Sequence, residues 1–296
     1  MTTLGTLGLA GFGKMGSAMA ARLVESGARV IVWNRNLNVP RDAGFAVADS
    51  PRRLAEQCDT VISSLFDDQV VKAVYEGEEG LVAGAAGKLF IEMSTVLPET
   101  QKHLARAVAK AGGAFIECPV SGTTGPARSG QLIGLAGGDL SDIERARPVL
   151  AQLCRKIEHI GPIGAGAIAK LAINLPLLAF WQAFGEAMAL MRPLGRDSQW
   201  LVQLFSDTAG TPAVMKVKAS ALVETLAGRD SVTPTYDIDS MRKDLRLMLA
   251  EAERRNFPLP IAKAISVAFD EAAAAGWGTR DCAWVPAFWA SKAAHK

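Results

Sequence analysis

Cysteine and histidine are scarce in this 296-residue chain, which has four of the first and three of the second. Cys58, Cys118, Cys154 and Cys282 form no Cys-x-x-Cys pair, and no histidine stands near them at a zinc-binding spacing. They read as reduced thiols, and no metal is expected. His103, His159 and His295 accompany no nucleophile motif, which argues against a Ser–His or Cys–His hydrolase. Charge of one sign is lacking as well: 32 Lys plus Arg stand against 30 Asp plus Glu, a formal charge of +2. Neither nucleic acid nor an anionic membrane is therefore an expected partner, and any anionic ligand must be held locally. Apolar stretches such as Leu171–Phe180 are interrupted by Asn174 and Pro176 and fall short of the roughly 20 residues that span a bilayer. The opening MTTLGTLGLAGFG has no basic segment followed by an unbroken apolar one, so no signal peptide is expected and a cytoplasmic location is the default. What the chain does have is apolar mass, 49% of its residues, with 28 glycines, enough for one large domain or two ordinary ones.

Its first half alternates short apolar runs (Gly5–Ala10, Arg29–Trp33, Thr60–Leu65, Lys88–Glu92, Ala114–Glu117) with helical patterns (Met15–Ser26, Pro51–Gln57, Gln69–Tyr75, Glu99–Ala111). Buried parallel strands joined by crossover helices leave this trace. IGPIGAG at Ile160–Gly166 ends the alternation. Helical candidates follow at Ala165 to about Met191, Asp197–Asp207, Pro212–Leu226, Ile238–Arg255 and Pro260–Ala275. The reading is a Rossmann-type α/β domain over residues 1–162 and an all-α domain over 163–296.

Gly11-Phe12-Gly13-Lys14-Met15-Gly16 follows the first apolar run and opens the first helix. In that setting the first glycine allows a tight turn, the second lets backbone approach a pyrophosphate, and the third lets helix pack on strand, with helix N–H groups facing the anion. A tight strand–helix turn without a ligand is the plainer account of the same glycines. The second strand ends in Asn34-Arg35, with no carboxylate where an NAD site usually presents one to the ribose. Asn34 can bond a ribose oxygen and the Arg35 guanidinium can pair with a 2′-phosphate, so NADP(H) is expected over NAD(H), unless Arg35 is merely solvated.

Two further segments, Glu117-Cys-Pro-Val-Ser121-Gly122-Thr123 at a strand end and Gly164-x-Gly-x-x-x-Lys170-x-x-x-Asn174 at a helix start, join the glycine loop in order. Together the three resemble the β-hydroxyacid dehydrogenase family, which includes 3-hydroxyisobutyrate dehydrogenase and the glyoxylate, tartronate-semialdehyde and succinate-semialdehyde reductases, over essentially the whole chain. The resemblance implies hydride transfer between a small β-hydroxyacid and its aldehyde or semialdehyde. Lys170 would be the catalytic acid or base, with Asn174 beside it. Read from the residues alone, positions 170 and 174 share one helix face, and Lys170 has mostly apolar neighbours, where partial burial eases loss of its proton. Ser121, Gly122 and Thr123 offer a hydroxyl and backbone N–H groups to a substrate carboxylate, the role the resemblance also implies. By the same resemblance Thr95 lies against the nicotinamide, although it equally suits a cap for the helix near Pro98. The resemblance also implies that Leu65 lines the cofactor path and that Lys243, of the Lys243-Asp244 pair, reaches the cofactor and helps close the cleft.

Departures from the family pattern fall near the substrate. Thr123 and Thr124 stand where a second glycine and a variable residue are usual, Ile173 replaces a frequent Asn, and Pro176 should bend the long helix by removing its N–H bond to Ala172. Phe180 and Trp181 follow a turn later and read as core or dimer contacts before pocket walls. Imine reductases share the architecture, but they usually replace the lysine that is present here. A non-catalytic NADP-binding module is the other alternative, and the chain is too short for the enlarged helical domain of decarboxylating 6-phosphogluconate dehydrogenase. The Ala/Leu/Met-rich helix and the family's habit together lead one to expect a homodimer or tetramer acting on a carboxylate-bearing small molecule.

Overall fold

The computed structural model describes residues 4–36 and 44–293, so His295 lies outside the described residues. Contacts divide the chain into two compact units, one ending at Ala172 and the other beginning at Ile173.

The first unit starts with β1 (Thr6–Ala10), α1 (Lys14–Glu25), β2 (Arg29–Trp33), β3 (Ala46–Val47), α2 (Pro51–Gln57), β4 (Thr60–Ser63), α3 (Asp68–Glu76), β5 (Leu89–Glu92), α4 (Pro98–Lys110) and β6 (Ala114–Glu117). It continues through β7 (Val120–Ser121), α5 (Thr124–Arg128), β8 (Leu132–Gly137), α6 (Leu140–Leu153) and β9 (Cys154–Gly161) into α7 (Ala165–Met191). The sheet order is β3-β2-β1-β4-β5-β6-β8-β7, with β9 paired to β8. Pairing is parallel from β3 to β6 and antiparallel where β6 and β7 meet β8. This is the doubly wound Rossmann-type arrangement. The strands read as unbroken apolar runs because both faces are covered. Leu7, Leu9, Leu89, Ile91 and Ile116 join one core with Met19, Leu23 and Leu150, while Ile31, Val61 and Phe90 join another with Leu54, Val71 and Leu104.

Elements β7 to β9 escape the alternation visible in sequence. Strand β8, LIGLAG, is glycine-rich, and β9, CRKIEHIG, is an edge strand whose charged side chains face water. Local capping explains where several helices begin. Ser50 accepts the Arg53 N–H ahead of α2, and Asp67 accepts that of Val70 ahead of α3.

Among its described residues the second unit has no strand. Beyond α7 it contains α8 (Ser198–Ser206), α9 (Ala213–Val217), α10 (Ala219–Leu226), α11 (Ile238–Arg254), α12 (Pro260–Ala272) and α13 (Trp284–Lys292). The expected single helix at Pro212–Leu226 is two, jointed at Lys218, whose ammonium is drawn inward to a buried carboxylate. After α12 the chain widens into a π-turn, Ala273–Trp277, with Gly276 at a positive φ. The expected interruption of the apolar stretch at Asn174 and Pro176 is also corrected. Helix α7 runs through both residues, and the stretch 165–194 is, by length and composition alone, long and apolar enough to cross a membrane. Within the unit Asn174, Leu178, Trp181, Phe184 and Met188 are buried at helical spacing, the stripe of a helix packed on a protein core. Trp181 is fully buried, which agrees with its reading as a core residue.

Candidate active site

Registers Ala10↔Trp33, Ala10↔Ser63, Ser63↔Glu92 and Glu92↔Glu117 put the carboxyl ends of β2, β1, β4, β5 and β6 in one row. Loops leaving such a row beside the point where the strand order reverses, here between β1 and β4, form the ligand edge of an open α/β sheet. Gly11 leaves β1 at φ +97°, and a Cβ there would lie 2.3 Å from the Ser64 carbonyl oxygen. At Gly16 a Cβ would lie 2.0 Å from the Gly11 carbonyl oxygen, so helix α1 sits on the turn only because that residue is glycine. Gly13 differs. Added atoms there would meet nothing within 4 Å, and as N-cap of α1 it supplies no side-chain cap. Backbone exposed at an uncapped helix start is what a pyrophosphate needs. These residues fit a dinucleotide: Gly11 to Gly16, with Lys14 exposed at the helix start and Met15 packed on the core, would hold its phosphates.

Asn34 does work in the loop that its sequence position does not announce. Its Oδ1 accepts the Phe12 N–H at 3.2 Å, tying the glycine turn to the end of β2, and the Phe12 ring packs edge-on to Phe45. Arg35 follows, exposed.

Glu92 and Ser94, at the end of the fourth apolar run and just beyond it, have no role in the sequence reading. Glu92 is fully buried and accepts both the N–H and the hydroxyl of Ser94, the Gln101 amide at 2.6 Å and the Ser63 hydroxyl at 3.4 Å. Ser94 Oγ accepts the Leu65 N–H at 2.8 Å, so one buried carboxyl fixes the loops carrying both Leu65 and Thr95. Burial pushes the Glu92 carboxyl above the ordinary range, against the pull of these donors. The N-cap of α4 is Leu97, not Thr95. Its N–H donates to Asp68 at 3.0 Å, which leaves Thr95 half-buried beside Ser94.

Ser121 closes β7 opposite Ile133, and Gly122 turns the chain at φ +130°, where a Cβ would strike Leu132 at 2.7 Å. Thr123 is the N-cap of α5 without a side-chain cap. From the end of β6, the preceding strand in the chain, Glu117 reaches the start of α7. Oε1 accepts the N–H of Gly164 at 2.5 Å and of Gly166 at 2.9 Å, and Oε2 accepts that of Ala167 at 3.1 Å. Burial, opposed by those three donors, leaves its pKa raised to about 7. Lys170 follows Ala167 by three residues on this helix and is half-buried.

In the second unit, Asn174 is buried and donates from Nδ2 to Asp244 Oδ2 at 2.8 Å; the Tyr236 hydroxyl donates to the same oxygen at 2.6 Å. Lys243 Nζ lies 2.8 Å from Asp244 Oδ1. The Lys243-Asp244 pair is thus an ion pair on α11, with the carboxylate inward. Asp244 and Tyr236 are the functional candidates that sequence reading missed here. An acid that follows a lysine reads as a surface pair until its burial is seen.

The glycine turn on the carboxyl edge of a doubly wound sheet defines a Rossmann-type NAD(P)-binding protein. The family model of the NAD-binding domain of 6-phosphogluconate dehydrogenase matches residues 6–161, and that described as the NAD-binding domain of NADP-dependent 3-hydroxyisobutyrate dehydrogenase matches 164–287. Glyoxylate/succinic semialdehyde reductase 1 of Arabidopsis thaliana is 33% identical over 93% of this chain and 95% of its own. The 3-hydroxyisobutyrate dehydrogenase of Pseudomonas aeruginosa is 34% identical over 88% and 89%. Among solved structures, the Mycobacterium tuberculosis 3-hydroxyisobutyrate dehydrogenase with L-serine superposes with a TM-score of 0.81 at 28% identity, covering 95% of this chain and 98% of that one. The chain belongs to the 3-hydroxyisobutyrate dehydrogenase family of oxidoreductases. An imine reductase of Myxococcus stipitatus, at 21% identity, TM-score 0.62 and coverage of 96% and 99%, shares the fold.

Proposed function

We propose that the protein is an NADP(H)-dependent β-hydroxyacid dehydrogenase or semialdehyde reductase, with Lys170 as general acid in reduction and general base in oxidation. The observation that carries this reading is the anchoring of Lys170's helix to Glu117, in the same row of strand ends that presents the glycine turn and the loop bearing Thr95. A bound nicotinamide dinucleotide supplies or takes up the hydride. The chain's own part is binding and proton transfer. The hydroxyl of Ser121 and the backbone N–H groups of Gly122 and Thr123 receive the substrate carboxylate without desolvating a full cation. The Lys170 ammonium gives its proton to the carbonyl oxygen as negative charge develops there, and its neutral amine takes that proton back in the reverse direction. Asn174, one helical turn on, orients that oxygen by a dipole. The names of the relatives, which act on glyoxylate, succinic semialdehyde and 3-hydroxyisobutyrate, support a small carboxylate-bearing substrate.

An NADPH-oxidation assay against glyoxylate, succinic semialdehyde and methylmalonate semialdehyde tests the reading. Turnover of one or more is expected. Turnover of cyclic imines alone would make the protein an imine reductase, and NADPH binding without turnover of either class would make it a non-catalytic module.

Preference for the phosphorylated dinucleotide rests on Arg35 and on the want of a carboxylate at Asn34. A guanidinium–phosphate interaction is worth about 1.5–3 kcal/mol. Arg35→Ala is accordingly expected to raise KM for NADPH by at least about tenfold while leaving KM for NADH within twofold; equal effects on both would refute the assignment.

A further inference from the structure

We infer that Glu117 is a positioning residue for proton transfer: its carboxylate gathers the first N–H groups of α7 and so fixes where on the sheet edge Lys170 works. The inference rests on the proposed role of Lys170 and adds to it a residue that never touches substrate.

Three observations carry it. Glu117 is fully buried, yet it spends both carboxylate oxygens on one helix start, with Gly164, Gly166 and Ala167 as donors. Room for the carboxylate is made on two sides. A Cβ on Gly137 of β8 would lie 2.3 Å from Oε1, and one on Gly166 would press against the Glu117 carboxyl carbon at 3.3 Å and the Leu135 carbonyl oxygen at 2.3 Å. Finally, α7 is entered through Gly161 and Gly164, both at positive φ, so the connection itself does little to fix the helix start. The carboxylate is the rigid link between β6 and the helix that bears Lys170.

The arrangement depends on charge. Ionised, Glu117 offers only acceptors, faces only donors, and meets the positive end of the helix. Protonated, it must place an O–H among three N–H groups. Its titratable and charged neighbours are Glu92 on β5, paired with it in register; the buried Cys118 thiol on its own chain; His159 on β9, whose ring bonds the carbonyls of Gly138 and Gly161; Lys102 on α4, whose Cε lies where a Cβ on Gly164 would reach; and Lys170 on α7. Burial sets the proton affinity of Glu117, Glu92 adds to it, and ionisation falls close to neutrality.

A general-acid lysine alone predicts activity in reduction that falls only as pH rises. With Glu117 in place, kcat for aldehyde reduction at saturating NADPH is expected to fall also towards acid, with a midpoint near 7. Glu117→Gln keeps the shape, loses the charge and turns an N–H₂ towards a donor. It is expected to lower kcat at pH 8 on the order of a hundredfold, the scale of an ångström-level misplacement, and to abolish the acid limb. KM for NADPH, for which the glycine turn and Arg35 are the proposed main holders, should stay within twofold. Glu117→Asp should regain part of kcat and keep an acid limb displaced from the wild-type midpoint. An unaltered limb and kcat in Glu117→Gln would overturn the inference; if that variant fails to fold, an unmoved midpoint in Glu117→Asp would do so. Lys170→Ala separates the two claims. An inactive Lys170→Ala beside a Glu117→Gln protein of wild-type profile removes the positioning role alone, whereas an active Lys170→Ala removes the lysine's role and this one with it.

Discussion

Lys170→Ala is expected to lower kcat for aldehyde reduction by about a thousandfold, within the 10²–10⁴ range that a positioned proton donor contributes. That corresponds to roughly 4 kcal/mol of transition-state stabilisation. The effect should fall on kcat and barely on KM for NADPH, because the residues of β1, α1 and β2 proposed to hold the dinucleotide are untouched. Little stability should be lost, since the side chain is only half-buried and alanine suits a helix interior. Steady-state kinetics with NADPH titration by fluorescence measures both. Turnover within tenfold of wild type, in protein that binds NADPH normally, would remove the lysine from the chemistry and leave water or another side chain as proton source.

How much of this was legible in the sequence differs from element to element. The glycine turn was readable because its constraint is local: Gly11 needs a positive φ, and Gly16 must touch Gly11 five residues away. Parallel strands β1, β2, β4, β5 and β6 were readable because burial on both faces leaves apolar runs, whereas the two-residue exposed β3 left none. Strand β9 was not, since an edge strand keeps its charges, and Lys218 broke a helix that its own periodicity continues. The candidate site followed the same rule. Lys170 and Ser121 sit in recognisable strings, but the residues that hold the strings in place do not. Glu92, Glu117 and Asp244 are acids whose meaning lies in partners 9 to 70 positions away. One signal was available. Glu92 and Glu117 each end an apolar run with a carboxylate, and a charge that closes a buried strand needs a partner that sequence order alone does not supply.

The largest expected loss of stability follows from the buried pair that jointed α9 to α10. Lys218 Nζ donates to both oxygens of Asp281 at 2.8 Å and to Thr235 Oγ1 at 2.7 Å, while Asp281 also accepts the N–H groups of Thr235 at 2.8 Å and Ala283 at 3.0 Å. Both side chains are at least nine-tenths buried. Asp281→Ala strands the ammonium and two backbone donors together, and removing one member of such a pair costs about 3–5 kcal/mol. Thermal unfolding should show a drop on the order of 10 °C. Replacing both partners, Lys218→Met with Asp281→Leu, should cost less than Asp281→Ala alone, because no charge is then left unpaired. Acid provides an independent check. Burial works against the Asp281 anion, yet Lys218 and the two N–H groups prevail and hold its pKa below the usual value of 3.8. A depressed pKa contributes stability that is complete above the unfolded-state value and is lost as pH falls below about 4 towards the folded-state one, so Asp281→Ala should flatten the acid-unfolding profile in that window. The same carboxylate holds Thr235 next to Tyr236, the residue whose hydroxyl shares Asp244 with Asn174. A variant that lost the pair yet kept both the wild-type unfolding temperature and the wild-type acid profile would show that the clamp is decorative.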